Sequence, residues 1–186
     1  MSTNINVIDA FIALSPRDKE SKNLCYNAYY KSIFSYAYKI GYWLYVPNKG
    51  DHYAVIRAHD DYAPSKTTAT HMNTLLVRSG FIRPLVLPIL TPKLFDNLPD
   101  CKGEQGWDSS YFPLYRAAVV KAARTKTKIY FDVRKQQMRE IIENLDKIAT
   151  TFGWSYSRDL YTVENVLADN QKLLEQFALR DMGVWN

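Results

Sequence analysis

The sequence predicts an α+β fold in which a small antiparallel sheet packs with helices and the C-terminal half is helical. Two segments rich in strand-forming residues, "YWLYV" and "HYAVIRA", flank the turn "PNKGD", which is typical of a β-hairpin over residues 42–58. After Pro113, apolar residues recur at helical spacing over most of the remaining chain. We expect one domain over 1–186, with an α+β part at 1–98 and a mainly helical part at 113–186.

The segment before the hairpin predicts a long helix. Ser15 and Pro16, followed by acidic residues, form a typical helix start, and Gly41 is a typical stop. Apolar residues at positions 25, 29, 33, 37 and 40 recur at three or four residues. We therefore expect a helix from 16 to 40 with a wide buried face.

Three shorter elements are expected between the hairpin and position 98. A helix is predicted over 68–79, closed by Gly80. The two prolines of "FIRPLVLPIL" exclude a helix interior and a central strand, which favours an edge strand. "TPKLFDNL" predicts a short helix capped by Thr91, and residues 99–112 carry the turn signals of a long surface loop.

The C-terminal half predicts three main helices. "PLYRAAVVKAARTK" is the first, and "IYF" after it has the composition of a brief strand. Two amphipathic segments follow, with apolar faces over 138–152 and 163–177, joined by "GWSYSRDLY". A connection of this length favours an antiparallel helix pair. Trp185, near the C-terminus, is expected to pack back onto the protein.

Composition and charge narrow the class of protein. Cys25 and Cys101 lie far apart and form no metal-binding spacing, so a disulfide framework or structural zinc site is not expected. No segment has the features of a signal peptide or the length of a membrane span. We therefore expect a cytoplasmic protein with no membrane partner and no cofactor.

A basic block is the strongest indication of a partner. Residues 116–139 contain eight Lys and Arg against the single acid Asp132, whereas 140–186 contain eight acids and four bases. A phosphate backbone would suit five of these cations, with two nearby tyrosines stacking on unpaired bases: Arg116, Lys121, Arg124, Lys126 and Lys128, with Tyr115 and Tyr130. A solvated helix surface and attraction to an acidic protein are the alternatives.

A second candidate is an anion site in "DDYAPSKTTATHMN". Hydroxyls before a helix, with a lysine and an imidazole, can hold a phosphate at the first turn, which assigns the site to Lys66, Thr67, Thr68 and His71. The alternative is that Thr67 or Thr68 caps the helix and His71 bonds a local carbonyl. The absence of glycine from this stretch excludes a P-loop.

A catalytic site is the least favoured interpretation. The group His59, Asp60 and Asp61, with His71 downstream, has side chains suited to metal binding or acid–base chemistry, and Ser65 with His71 could form a nucleophile–base pair. His52 and His59 are seven residues apart and would face opposite sides of a strand. No established catalytic motif occurs, so we assign no catalytic residue and no metal ligand.

One resemblance points to an origin. The hairpin, Tyr62, Thr67-Thr68, His71 and Asn73 resemble the Tyr-Ser-x-Thr-Thr-x-x-His-x-Asn pattern of short uncharacterised bacteriophage proteins, over residues 42–80. The resemblance implies a phage protein and carries no assigned activity. 

The sequence as a whole predicts a phage-type accessory protein that binds DNA or RNA without catalysis through the basic, aromatic-flanked block. The alternative is an inhibitor that binds a protein machine of the host and blocks it. The tyrosine-rich segment and Trp185 would then supply an apolar interface. Both hypotheses allow a homo-oligomer.

Overall fold

The computed structural model describes residues 2–58, 63–101, 103 and 106–185, with the backbone alone at 81, 83 and 84. The chain divides into two compact units, Met1–Cys101 and Lys102–Asn186. The first unit combines a sheet with helices and the second is helical, so the α+β class with a helical C-terminal half is confirmed. The expectation of one domain over 1–186 stays a prediction.

The first unit is built on a six-stranded sheet. Its strands follow one another in space as they do in the chain: β1 (Lys19–Glu20), β2 (Leu24–Asn27), β3 (Ser32–Ser35), β4 (Tyr38–Val46), β5 (Asp51–Arg57) and β6 (Val86–Ile89). Strands β1 to β5 pair antiparallel, and β6 pairs parallel to β5 at the edge. A parallel neighbour requires a crossover, which the helix between β5 and β6 provides.

The hairpin and the edge strand agree with the sequence. Strands β4 and β5 are joined by a 3₁₀ turn at Pro47–Lys49, and Gly50 follows it in the left-handed conformation at φ 65°. The edge position of β6 tolerates Pro88, because the outer side of this strand needs no hydrogen-bond donor.

Helices cover the sheet of the first unit. Helix α1 (Asn4–Ile12) and helix α2 (Lys66–Arg78) bury their apolar faces with strand residues in one core, whose members include Ile8, Phe11, Tyr26, Ile33, Ile40, Ile56, Met72 and Leu75. Helix α3 (Pro92–Asn97) lies against β5 and β6 and places Phe95 against Tyr42. Thr91 caps α3 as predicted, accepting from the Leu94 amide at 3.4 Å.

The long helix predicted over 16–40 is wrong. This segment forms β1, β2, β3 and the first part of β4. Along β2 the burial alternates, with Leu24 and Tyr26 inside and their neighbours half exposed, which is the period of a strand. Ser15 bonds the Arg17 amide in a turn rather than capping a helix. The five apolar positions that fitted a helix do not share a face, because Ile33 and Ile40 are buried on separate strands whereas Tyr29 and Ala37 are exposed in turns.

Turns inside this segment also exclude a helix. The Asn27 side chain accepts from the Tyr30 amide at 2.9 Å, which reverses the chain between β2 and β3. Lys31 and Tyr36 adopt positive φ angles of 48° and 54° in the turns on either side of β3. These two residues take a conformation that a right-handed helix cannot contain.

The second unit contains four α-helices within its described residues: α4 (Phe112–Arg124), α5 (Lys128–Phe152), α6 (Val163–Val166) and α7 (Gln171–Asp181). A 3₁₀ turn at Arg158–Leu160 precedes α6. Helices α4 and α5 pack antiparallel, and the Tyr111 hydroxyl before α4 donates to Asn144 late in α5 at 2.6 Å. Helix α7 runs in the same direction as α4, since Leu173 near its start lines a groove with Phe112 and Arg180 near its end donates to the Ala123 carbonyl. Helix α7 is therefore antiparallel to α5, and Phe177 contacts Phe131 between them.

Two details of the helical half differ from expectation. "IYF" is not a strand, because Phe131 begins the buried stripe that continues through Met138 and Ile141 in α5. The second amphipathic segment is interrupted after α6, and Asn170 starts α7 by accepting from the Leu173 amide at 3.2 Å.

Trp185 packs back onto the protein, as predicted, and the centroid of its ring lies 5.6 Å from that of Phe131.

Within the part of the chain that the structure describes, every helix is too short or too polar to cross a bilayer.

Candidate nucleic-acid interface

Helix α4 presents three of the predicted cations on one exposed face. Its other face is buried and carries small residues, Ala118, Ala122 and Ala123, which allow close packing against α5. At 100° per residue, Arg116, Lys121 and Arg124 fall within an arc of about 140°. All three are exposed. Lys121 and Arg124 lie in the last turn of α4, at the negative end of its dipole, and therefore also stabilise the helix.

Two further predicted cations follow α4 in the chain. Lys126 lies in the turn after the helix, and Lys128 is the first residue of α5, and both are exposed. Thr127 makes no side-chain cap to α5, and the first turn of α5 contains no acidic residue. The amide dipoles at the start of α5 therefore add to the positive potential of the two lysines. We call Arg116, Lys121, Arg124, Lys126 and Lys128 the basic face.

No member of the basic face forms an ion pair with a carboxylate of the acidic C-terminal region among the described residues. Among the described residues, the ion pairs are Arg57–Asp96, Arg78–Asp9, Lys135–Asp181 and Arg158–Asp146, and none contains a member of the basic face. Asp181 and Asp146 are thus engaged with other cations. The five side chains of the basic face are exposed and lie outside these ion pairs.

The two tyrosines predicted to stack on bases lie in different environments. Tyr130 is 63% exposed in the first turn of α5. Tyr115 is only 2% exposed and packs edge-on against Tyr161 at 5.5 Å. Burial raises the pKa of the Tyr115 hydroxyl. The assignment of Tyr115 as a stacking residue is therefore wrong, because its ring belongs to the core. Its spacing to Ala118 and Ala122, at helical steps of three and seven, could have shown this.

A groove that the sequence did not predict runs beside the basic face. Its cavity is about 570 Å³ and lies between α4 and the segment that contains α6 and the start of α7. Arg116 and Arg124 line it, together with apolar side chains that include Phe112, Val120, Val166 and Leu173. Asp169 lies among the lining residues of the α6–α7 segment. The groove lies where the helix is interrupted between α6 and α7. The spacing of apolar residues alone does not predict this interruption.

The four residues of the predicted anion site, Lys66, Thr67, Thr68 and His71, differ in their exposure to solvent. Ser65, and not Thr67 or Thr68, caps α2, accepting from the Thr68 amide at 3.2 Å. Lys66 and Thr67 are exposed, whereas Thr68 is fully buried and His71 is 5% exposed. Thr68 and His71 therefore cannot bind a solvent anion as placed. The contact of Lys66 and Thr67 with an anion stays a prediction.

His71 belongs to an interior hydrogen-bond network. Its Nδ1 lies 2.8 Å from Ser35 Oγ, and its Nε2 lies 2.9 Å from Asn4 Nδ2. Ser35 Oγ continues the network to Thr68 Oγ1 at 3.1 Å, and Thr68 Oγ1 lies 3.1 Å from Ser65 Oγ. The network joins α1, α2 and β3.

The network fixes the protonation of His71. Asn4 Oδ1 accepts from the Ser21 hydroxyl at 2.5 Å, which leaves the Asn4 amide N–H to donate to His71 Nε2. The imidazole therefore carries its proton on Nδ1 and donates to Ser35. Burial also lowers the pKa of His71, which favours this neutral form.

The network does not form a catalytic serine site. Ser35, not Ser65, is the serine paired with His71, and it is fully buried. A nucleophile in that position has no access to a substrate in solvent. The hydrogen bonds instead satisfy buried polar groups of the core.

His59, Asp60 and Asp61 of the predicted acid–base group lie outside the described residues. Tyr62 of the phage-type pattern also lies outside them. His52 is described, and its Nε2 lies 3.3 Å from Lys31 Nζ while its ring contacts Tyr45. In the described ranges, no three His, Cys, Asp or Glu side chains gather where they could hold a metal ion. 

In comparisons with known proteins, no protein-family model matches the chain, and no curated protein or solved structure matches it either.

Proposed function

We propose that this protein binds nucleic acid, without catalysis, through the basic face. One observation carries the proposal: five exposed cations lie along α4 and the start of α5, and none pairs with a carboxylate among the described residues. Surface cations that serve only solubility are commonly interspersed with acids. Here Asp132 is the single acid between Arg116 and Arg139.

The physical basis of binding is the release of counterions from the phosphate backbone. Each phosphate that a Lys or Arg neutralises contributes about −0.7 for single strands and −0.9 for duplex to the slope of log affinity against log salt concentration. Tyr130 adds an exposed ring beside these charges, and base–aromatic stacking contributes about 1–3 kcal/mol and tolerates any sequence. Charge and stacking of this kind predict weak sequence preference.

The test is a salt titration of affinity for a labelled oligonucleotide, followed by fluorescence anisotropy. Replacing Arg116, Lys121 and Arg124 together by Ala should lower affinity more than tenfold and reduce the salt slope by about two. Alanine favours the helix, so α4 is expected to remain folded. An affinity of the parent protein that does not change with salt would reject the proposal.

A matched control removes three charges from scattered positions. Lys22, Lys49 and Lys172 are exposed and lie in different parts of the chain. Their combined replacement by Ala changes the net charge as much as the α4 triple variant does. If both triple variants lose the same affinity, binding reflects net charge and not a defined face.

The proposed setting is a phage-type accessory protein acting in the host cytoplasm. The threonine pair, His71 and Asn73 of the phage-type pattern support it. Detection of the protein in infected cells, and its copurification with phage or host nucleic acid, would test this setting separately from the binding activity.

A second candidate function is inhibition of a host protein machine by direct binding, and one observation favours it. Among its described residues the first unit exposes four tyrosine rings, Tyr29 at 86%, Tyr30 at 67%, Tyr36 at 56% and Tyr45 at 52%. Tyr29 and Tyr30 contact each other in the β2–β3 turn, where Lys31 is linked through His52 to Tyr45. Exposed tyrosines are enriched at protein interfaces.

The two functions are separated by two variants. Replacing Tyr29 and Tyr30 by Ser should abolish capture of a host protein if the tyrosines form the interface, and should leave oligonucleotide affinity unchanged. The α4 triple variant should give the opposite result. If the double variant Tyr29→Ser, Tyr30→Ser still captures the host protein, these tyrosines do not form the interface.

A further inference from the structure

We infer that the groove beside the basic face receives an unstacked nucleobase, so that the ligand is single-stranded nucleic acid. The inference rests on the proposed function and specifies its ligand. Three features of the groove support it: its volume, the distribution of arginine and lysine around it, and its apolar lining.

The volume and lining suit a flat, mostly apolar group. A cavity of about 570 Å³ lies within the range of about 300–1,000 Å³ that is typical of small-molecule pockets. Val120 and Leu173 line it from opposite helices, and Phe112 lines it at the start of α4. Side chains of this type contact the face of any base and do not hydrogen-bond its edge. Asp169 and Asn170 also line the groove, but the Asn170 Oδ1 already accepts from the Leu173 amide. The groove therefore predicts binding of bases without strong sequence preference.

The cations divide into two groups. Both arginines of the basic face, Arg116 and Arg124, line the groove, whereas Lys121 and Lys128 do not. A planar guanidinium can stack on a base and also pair with a phosphate, whereas an ammonium acts as a point charge. The groove thus carries the cations suited to unpaired bases, and the lysines outside it suit the backbone.

The spacing of the two arginines fits a strand that crosses the groove. Eight residues separate them, which corresponds to about 12 Å along α4. Phosphates about two nucleotides apart in an extended strand would lie near one arginine each. Asp169 among the residues of the α6–α7 segment repels phosphate, which confines the backbone to the α4 side.

A duplex would use only part of this surface. Its bases are paired and stacked inside, and extruding one is unfavourable. Duplex phosphates can contact the lysines and the arginines, but the apolar lining stays unoccupied. Single strands are therefore expected to bind more tightly than duplex of the same sequence.

The test compares three ligands on the intact protein at one salt concentration: a single-stranded oligonucleotide, its duplex, and a strand of equal length with abasic sites in place of its bases. We expect the single strand to bind at least tenfold more tightly than either of the other two. The abasic strand keeps the phosphates, so its weaker binding reports bases directly and needs no protein variant.

A groove-filling variant locates the effect. Val120→Trp should reduce single-strand affinity to the duplex level and change duplex affinity less than twofold, with Lys172→Trp as a surface control. Equal affinity for all three ligands, or full single-strand affinity in folded Val120→Trp, would overturn the inference while the proposed function stands. If no nucleic acid binds, both fail. Binding of an acidic amphipathic peptide, with no preference for bases, would assign the groove to a protein partner.

Discussion

His71 Nδ1 lies 2.8 Å from Ser35 Oγ, so the middle of α2 is fastened to strand β3 by a buried side-chain hydrogen bond. The same imidazole accepts from Asn4 of α1 at 2.9 Å. One neutral histidine thus holds two helices against the sheet. Protonation would place an N–H opposite the Asn4 amide N–H, and two donors cannot bond each other.

The first prediction is that acid destabilises the protein through His71. Burial lowers the pKa of His71 from its ordinary value of 6.5, so the unfolded chain binds the proton more readily. Stability is therefore complete above about pH 6.5 and decreases as the pH falls below it, by at most about 1.4 kcal/mol per pH unit for one group. Urea unfolding followed by circular dichroism between pH 7.5 and 5.5 should show this decrease.

Variants assign the effect to one histidine. His71→Gln should be less stable at pH 7.5, because the network loses a partner, and should show a weaker dependence on pH. His52→Gln should keep the dependence of the parent protein. If His71→Gln retains the full pH dependence, another group is responsible.

The second prediction concerns a buried arginine. Arg57 is 3% exposed, its guanidinium bonds Asp96 at 2.6 Å and it lies 4.2 Å from the Phe95 ring centroid. The Asp96 side chain is 58% exposed. Asp96→Ala would leave a buried cation without its carboxylate and should cost about 2–3 kcal/mol.

Removing the arginine should cost less than removing its partner. In Arg57→Met, the apolar side chain keeps the contact with Phe95, and Asp96 is solvated, so we expect a loss of about 1 kcal/mol or less. Urea unfolding of both variants measures the difference. A larger loss for Arg57→Met than for Asp96→Ala would contradict this account of the pair.

The third prediction tests the packing of α1 and α2 on the sheet. A Cβ at Gly41 would approach Ile33 to 3.1 Å and both Leu75 and Phe11 to 3.3 Å. Gly41→Ala should therefore destabilise the protein by about 1–3 kcal/mol through overpacking. Gly80→Ala is the control, because a Cβ there meets nothing within 4 Å, and its stability should change little. Equal thermal midpoints for the two variants would show that the core yields at Gly41.

Elements with local signals could be predicted from the sequence. The "PNKGD" turn, the Thr91 cap and the alanine-rich helix α4 each depend on residues close together in the chain, and each is present. The strands within 16–40 could not be predicted in the same way. Their stability comes from pairing such as Tyr26 with Ile33 and from burial under α1, which spacing within the segment does not reveal.

The candidate interface shows the same division. The exposed cations of α4 follow from the charge pattern, because solvated side chains need no distant partner. The groove depends on the break between α6 and α7, and His71 depends on residues 36 and 67 positions away, Ser35 and Asn4. Long-range pairing of this kind decides whether a polar side chain faces solvent or the core.

The last prediction contrasts the two tyrosines of the basic block. Tyr130→Ala should leave the free energy of unfolding nearly unchanged, because the ring is 63% exposed, and should weaken binding to single strands by about fivefold to 100-fold if it stacks on a base. Tyr115→Ala removes a ring that is 2% exposed and should cost about 3–5 kcal/mol of stability through the cavity it leaves. Thermal unfolding and oligonucleotide titration of both variants separate the two roles. Unchanged oligonucleotide affinity in Tyr130→Ala would remove this ring from the interface and leave binding to the cations and the groove.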